Sequence, residues 1–324
     1  MVRAGARSPN SGGAPLDLSS RLVVPSFAKI NWSLHIEGRR PDGYHEITTV
    51  FQTIDLADEI SLTVTEDTSI HLDLTGREVA AGEDNLLYRA IASVQEKAPA
   101  RRGLHISLDK RIPVGGGLGG GSSNAAIGLV AANQLLRANL GREELLELAA
   151  RLGADVPFFL SGGVALGTGR GDRISPLPDL PRTLILVLLY PGFPVTTREA
   201  YQARNWGECA GDPVLTTMEA EHKIQRFREA IARVDLSWVE NDFERVVFEL
   251  YPALAQGSRQ LLAAGCRPVL LSGSGSCLFG VADPEKAGRI AREVAQQTAG
   301  EVFLCHSLSR QEYTSAFALK GLQL

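Results

Sequence analysis

No stretch of this chain approaches the ~18 consecutive apolar residues of a membrane-spanning helix, and the longest apolar run, Thr183 to Tyr190, reads as a short strand. Cysteine is scarce and scattered. Cys209, Cys266, Cys277 and Cys305 form no C-x-x-C pair, which argues against zinc or a disulfide framework and for reduced thiols in a cytoplasmic protein. Neither sign of charge dominates. With 33 basic and 37 acidic residues the net charge is −4, so neither bulk nucleic-acid binding nor membrane-surface binding is expected. There is no internal repeat. Residues 1–21, MVRAGARSPNSGGAPLDLSSR, lack a hydrophobic core segment and so are no secretory signal. Their Gly, Ser, Pro and Arg content predicts a disordered tail, and their low acidity only faintly suggests a transit peptide.

What remains is a soluble globular composition, 44% hydrophobic and 22% charged, over 324 residues. That length accommodates one large or two medium domains. The organising stretch lies between Lys110 and Asn124, where Gly115, Gly116, Gly117, Gly119, Gly120 and Gly121 are interrupted only by Leu118. A strand-like run, Leu104 to Leu108, leads in, and a small apolar run, Ala125 to Leu136, leads out. Glycine brings the main chain close to a ligand. Ser122, Ser123 and Asn124 offer N-cap chemistry at the helix start. Free first-turn N–H groups and the helix dipole favour an anion there, so the stretch predicts a phosphate cradle rather than a linker.

The type of cradle is narrowed by what is missing around it. Gly115, Gly117 and Gly120 satisfy G-x-G-x-x-G, but the acid expected ~20 residues later is absent. The next acids, Glu143 and Glu144, lie in the helical segment REELLELAARLG. There is no Walker lysine motif either.

Elsewhere, alternation places Ala28, Ile30, Trp32, Leu34 and Ile36 on one strand face, and Phe27, Lys29, Asn31, Ser33 and His35 on the other. Taken alone, this pattern favours a half-exposed strand with a solvated lysine. A turn at 38–43 precedes Tyr44-His45-Glu46 and the strand-like ITTVFQTI. Short strands follow around Ile60 to Val64 and Ile70 to Leu74, and Asp84-Asn85 opens an amphipathic helix. Asp155 stands among Ala, Val, Pro and Phe, where an unpartnered acid would be costly to bury; the alternative is a helix N-cap. Hairpin strands run to Pro176, and 178–181 reads as a domain boundary. Beyond it come a strand (184–190), a helix opened by Thr196, helices over most of 214–264 with a break near Asp235, strands at 268–271 and 277–281, a helix at 284–297 and a strand at 301–305. Strands alternating with helices predict a two-layer α/β sandwich.

The loop from Pro113 to Ser123 resembles the P-x-G-x-G-L-G-x-S-S motif of the GHMP small-molecule kinases. Four further blocks strengthen the resemblance: Ala28-Lys29-Ile30-Asn31, Asp42-Gly43-Tyr44-His45-Glu46, Gly153-Ala154-Asp155-Val156-Pro157-Phe158 and Ser272-Gly273-Ser274-Gly275-Ser276. The first three of these blocks single out the branch acting on a cytidine-diphosphate derivative of methylerythritol in the non-mevalonate isoprenoid route. The resemblance covers about 22 to 310 and leaves the N-terminal tail out.

It implies an α+β fold of two domains, 22–180 and 181–324, each a mixed or antiparallel sheet packed on helices, with the active site between them. It implies ATP as phosphoryl donor with Mg²⁺, a small-molecule substrate, no nucleic acid, no membrane, and a monomer or weak homodimer. Lys29 and Asp155 match the catalytic pair, expected within about 3 to 4 Å of each other. Asn85, Lys110, Pro113, Gly115 to Gly117, Leu118, Gly119 to Gly121, Ser122 and Ser123 match ATP-binding positions, with both serines near the metal-bound oxygens. Asn31, Tyr44, His45, Asp155, Thr197, Gly273, Ser274 and Gly275 match the substrate side, Tyr44 and His45 holding cytosine. No carboxylate stands out as a dedicated metal ligand.

Overall fold

The computed structural model describes residues 21–203, 206–207, 225–231 and 233–324. The expected N-terminal tail, Cys209 and the first part of the 214–264 helical region lie outside the described residues. Only Arg21 of the tail segment is described, as the first residue of a strand.

Among the described residues, ten strands form two sheets. The first takes β1 (Arg21–Arg39), β2 (His45–Thr65), β3 (Ile70–Gly76), β4 (Gly103–Lys110), β5 (Val164–Thr168) and β6 (Arg173–Pro176). Its order is β3-β4-β2-β5-β6, with β1 also paired to β2. All pairings are antiparallel except β3–β4. The second takes β7 (Ile185–Tyr190), β8 (Val269–Leu271), β9 (Leu278–Ala282) and β10 (Glu301–His306), antiparallel in the order β10-β7-β9-β8. The helices are α1 (Leu86–Gln95), α2 (Gly120–Leu135), α3 (Arg142–Leu152), α4 (Thr197–Gln202), α5 (Phe243–Leu250), α6 (Pro252–Ala264), α7 (Ala287–Gln297) and α8 (Arg310–Ala318). A further helical segment, 225–231, ends before Val234, whose φ of 51° marks the break expected near Asp235. The strands expected separately at 47–54 and 60–64 are one long strand, β2, because both halves find partners across the sheet.

Each sheet packs on helices, as the resemblance implies; the two-layer reading is extended because the two sheets also share a core. Alternate residues of the same strands enter different cores. In β7, Leu186, Leu188 and Tyr190 join Ala28, Ile30, Trp32 and Ile54 of the first sheet. Val187 and Leu189 point the other way, onto α5, α6 and α7. Trp32 meets Phe279 edge-on, ring centroids 5.5 Å apart, so the sheets face each other through a dry core. A third core lies between the first sheet and α1, α2 and α3. Ala28, Ile30 and Trp32 therefore lie between the sheets, while Leu34 and Ile36, beyond a register shift at Asn31/Ser33, join the core under α5, α6 and α7.

The expected domain division also needs correction at its C-terminal end. Tyr313, Phe317 and Leu322 belong to the core of the first sheet, not the second. Tyr313 is fully buried and its hydroxyl donates to the Phe159 carbonyl at 2.6 Å. Among the described residues, no helix is long and apolar enough to cross a membrane.

Candidate active site

The glycine stretch folds as expected into a loop opening α2, but its cap differs. The N-cap is Gly119 in the left-handed region (φ 68°), with no side-chain cap bond. Ser122, Ser123 and Asn124 lie inside the helix. A first-turn serine cannot also be the cap, so the N–H groups of that turn are left for something else.

The loop's carbonyls are all turned to protein donors. Gly115 O accepts from Val195 N and Ser276 N, both 3.2 Å, and Gly116 O from Cys277 N at 3.0 Å. Gly117 O accepts from Ser272 Oγ at 3.0 Å, Leu118 O from Lys29 N at 3.0 Å, and Gly119 O from Ser123 N at 2.8 Å. Five consecutive oxygens are thus occupied, mostly by the second sheet's loops. Fixing the oxygens this way removes the groups that would repel an anion at the α2 N-terminus.

Beside this loop opens a cleft of about 1180 Å³ between the two sheets' loops. Lys29 enters it from β1, buried rather than solvated, which overturns the half-exposed reading of that strand. Its Nζ lies 3.3 Å from Asp155 Oδ2, inside the expected separation. Lys29 Nζ also donates to Asn31 Oδ1 at 2.7 Å, Asn31 Nδ2 to Thr49 Oγ1 at 2.7 Å, and Thr49 Oγ1 to Ser33 O at 2.7 Å. Because the Thr49 proton goes to a carbonyl, its oxygen must accept from Asn31. The Asn31 carbonyl then faces the lysine. Asn31 therefore orients Lys29 as well as lining the cleft. Asp155 occupies the N-cap of the 3-10 turn Val156–Leu160 but makes no cap bond with its side chain. Its carboxylate stays free for chemistry, partly open to the cleft.

The DGYHE block forms the opposite rim. Arg40 spans Asp42 and the buried Glu46, which also accepts from Gly169 N at 3.0 Å. This holds Tyr44 exposed at the rim, with the Arg170 guanidinium 4.9 Å above its ring. His45 stacks on Tyr201, centroids 4.3 Å apart and planes 11° off parallel. Burial, then the nearby Arg39 charge, pushes the His45 imidazole below its usual range, keeping it neutral. Tyr201 is a cleft residue that the sequence reading missed. Its phenol is pushed up by burial and then by the charge of Asp155, which lines the same cleft. A signal was present: Thr197 and Tyr201 are spaced i, i+4 on one helix face. Thr197 Oγ1 lies 3.0 Å from Ser274 Oγ, and Gly273 stands close to Lys29 and Asn31, bringing these substrate-side residues to the cleft.

Four expected site residues are placed otherwise. Ser123 is buried, its hydroxyl accepting from Ser26 at 2.8 Å, so of the two loop serines only Ser122 lines the cleft. The Asn85 side chain caps α1, accepting from Leu87 N at 2.9 Å and donating to Ala80 O at 2.8 Å. Gly275 packs behind the cleft against Leu271. Lys110 borders the cleft but is buried and paired with Asp58. Burial lowers its pKa while Asp58 opposes the shift.

The second-sheet loop is held by a buried pair of its own. Asn241 Nδ2 donates to Leu271 O and Gly273 O, and Glu244 Oε1 accepts from Leu271 N at 2.8 Å. Burial pushes the Glu244 carboxyl up to about 7. A carboxyl whose folded pKa is raised stabilises the protein below its unfolded pKa, and that contribution is lost as pH rises through the folded value. Between about pH 4.5 and 7, the native protein will therefore lose stability relative to Glu244→Gln. Denaturant midpoints of both proteins at pH 5 and pH 8 check this. An equal difference at the two pH values would mean that the carboxyl is not shifted.

Comparison with known proteins gives this cleft its context. Residues 85–163 match the model of the GHMP kinases N terminal domain, and 218–299 that of the GHMP kinases C terminal. A 4-diphosphocytidyl-2-C-methyl-D-erythritol kinase of Moorella thermoacetica is 39% identical over 288 residues, covering 89% of this chain and 99% of the relative. A crystal structure of 4-(cytidine 5'-diphospho)-2C-methyl-D-erythritol kinase superposes with a TM-score of 0.72 at 37% identity, covering 88% of this chain and 99% of that one. A homoserine kinase from Cytophaga hutchinsonii, at 21% identity and a TM-score of 0.67, shares the fold. The chain belongs to the GHMP kinase family and is a small-molecule kinase with ATP as phosphoryl donor. Within that family it stands with the 4-diphosphocytidyl-2-C-methyl-D-erythritol kinases.

Proposed function

We propose that this kinase transfers the γ-phosphoryl group of ATP to the C2 hydroxyl of 4-diphosphocytidyl-2-C-methyl-D-erythritol, with Asp155 as base and Lys29 as its charged partner. The observation that carries this reading is the Lys29–Asp155 pair, 3.3 Å apart beside the phosphate loop. A tertiary hydroxyl is a poor nucleophile, and a carboxylate within hydrogen-bond reach accepts its proton as the new P–O bond forms. Lys29, ion-paired with Asp155, offsets charge developing on the transferring group. The α2 amides hold phosphate oxygens that the loop carbonyls, already engaged, do not repel.

The donor set fits a magnesium ion carried by the nucleotide. Among the described residues no group of three or more His, Cys, Asp or Glu could hold a metal, whereas Ser122 and Asp155 both line the cleft. Mg²⁺ retains several waters and takes few protein ligands besides substrate phosphates. A bound ion would supply charge neutralisation at the phosphates, and Ser122 and Asp155 are the cleft side chains that would meet its shell.

Tyr44, His45 and Tyr201 supply the pyrimidine end. The exposed Tyr44 ring offers a stacking face, and neutral His45 has one donor and one acceptor for the base edge. Uracil presents the opposite donor and acceptor at its exocyclic position, which leaves such a site unpaired. Tyr44→Ala is therefore expected to raise KM for the cytidine substrate about 10-fold or more, with KM for ATP little changed. Steady-state kinetics with each substrate varied checks it; a rise confined to ATP would put the DGYHE block on the donor side.

The test of the function is ATP-dependent phosphorylation by the purified protein. The cytidine-diphosphate substrate is offered beside its uridine analogue, mevalonate and homoserine. Turnover confined to the cytidine compound is expected. Preference for mevalonate or homoserine would overturn the reading.

A further inference from the structure

Asp58 lies on β2, behind the residues that line the cleft. It is a fully buried carboxylate. Its two oxygens serve different ends of the glycine loop. Oδ1 accepts from Arg111 N at 2.7 Å and Ile112 N at 2.8 Å, the last residues before the loop. Oδ2 accepts from Asn124 Nδ2 at 2.9 Å, in α2 after the loop, and from Lys110 Nζ. Asn124 also donates to Ser26 Oγ at 2.9 Å, and Ser26 to Ser123 Oγ, so the start of α2 is tied to β1 and β2 together. Lys110 in turn lies under the first residue of α2. A Cβ built on Gly120 would stand 2.6 Å from its Nζ.

We infer that Asp58 is a positioning residue for ATP, one carboxylate that fixes both stems of the phosphate loop and holds the Lys110 ammonium beneath the α2 N-terminus. This rests on reading the loop as the ATP-phosphate site. The physical reason is geometric. A glycine-rich loop has little stiffness of its own, so the separation of its stems sets the curvature of its amides. Four donors meeting one buried carboxylate set that separation with strong, charge-assisted bonds. The ammonium adds positive potential on the side of the helix where the phosphates dock. Lys110 thereby acts from below the loop, through the helix start.

Asp58→Asn isolates the effect. The amide oxygen still accepts from the Arg111 and Ile112 N–H groups, but its NH₂ faces Lys110 and Asn124, donor against donor. The expected result is a rise of about 10-fold or more in KM and Kd for ATP, as for a lost charge-assisted bond, with KM for the second substrate within about threefold. A role confined to stability would lower the denaturation midpoint without separating the two KM values. Where Asp58→Asn fails to fold, the double variant Asp58→Asn/Lys110→Met removes the unpaired buried cation and one clashing donor. It is expected to fold and still bind ATP about 10-fold more weakly.

Either variant, folded and binding ATP as the native protein does, would overturn the inference and leave the loop's assignment standing. A native protein that shows no saturable ATP binding would overturn the loop's assignment and this inference with it.

Discussion

Asp155→Asn will lower kcat at least ~100-fold while leaving KM for ATP nearly unchanged. The substitution keeps the shape of the side chain and removes the proton acceptor. The Asp155 carboxylate is ion-paired with Lys29, 3.3 Å away. With ATP held, as proposed, by the loop and α2, a loss of the base appears in kcat. Single-turnover kinetics with saturating ATP separates the chemical step from product release. Near-native turnover would mean that orientation and charge suffice without a base, as a loose phosphoryl-transfer transition state allows. The reading of Asp155 would then change from base to positioning group.

Gly117→Ala is expected to lower kcat/KM for ATP by at least ~100-fold. A methyl at this position would sit 1.9 Å from Ser272 O, 2.9 Å from Ser272 C and 3.1 Å from Gly275 N. All three are backbone atoms, so no side chain can rotate away. The residue also has φ +73°, which costs a non-glycine residue of order 1–2 kcal/mol. Overpacking adds roughly 1–3 kcal/mol. The loops must part, and the bonds that hold the Gly115, Gly116 and Gly117 oxygens part with them. The same substitution at Gly192 is the control, because it has φ +90° but nothing within 4 Å of its added Cβ. It pays the backbone strain alone and should leave ATP kinetics close to native. If Gly117→Ala behaved like Gly192→Ala, the clasp between the two sheets' loops would have no part in ATP binding.

These two expectations draw on different kinds of information. That residues 104–136 make strand, glycine loop and helix was legible because each part rests on local conformational preference. So was the helix opened by Asn85, whose side chain caps it as its type predicts. The strand alternation from Ala28 to Ile36 was legible as a pattern, but its burial was not. A period of two says which residues share a face; it does not say that a second sheet covers one face and a cleft the other.

The misplaced residues share one cause. Ser122, Ser123 and Asn124 have the right chemistry for an N-cap, yet Gly119 takes the position because a left-handed residue is needed where the loop turns into α2. The resemblance assigns Ser123 and Lys110 to the nucleotide, but Ser123 is bonded to the buried Ser26, and Lys110, though at the cleft border, is paired with the buried Asp58. Those partners come from strands far away in the chain. Tyr313 and Phe317 follow the second sheet in sequence but pack against the first, since the chain returns after β10.

The sequence by itself determined the family, the phosphate loop, and the residue types able to move a proton beside it, because these depend on short motifs and local backbone preference. Only the tertiary structure decided that Lys29 is buried and faces Asp155, that Tyr201 joins His45, that the loop's carbonyls turn to protein donors, and that Asp58 gathers both stems. The reason is that burial and hydrogen-bond pairing are settled by which distant segments arrive at the same place. A buried polar group must find its partner there, whatever its neighbours in sequence would have offered.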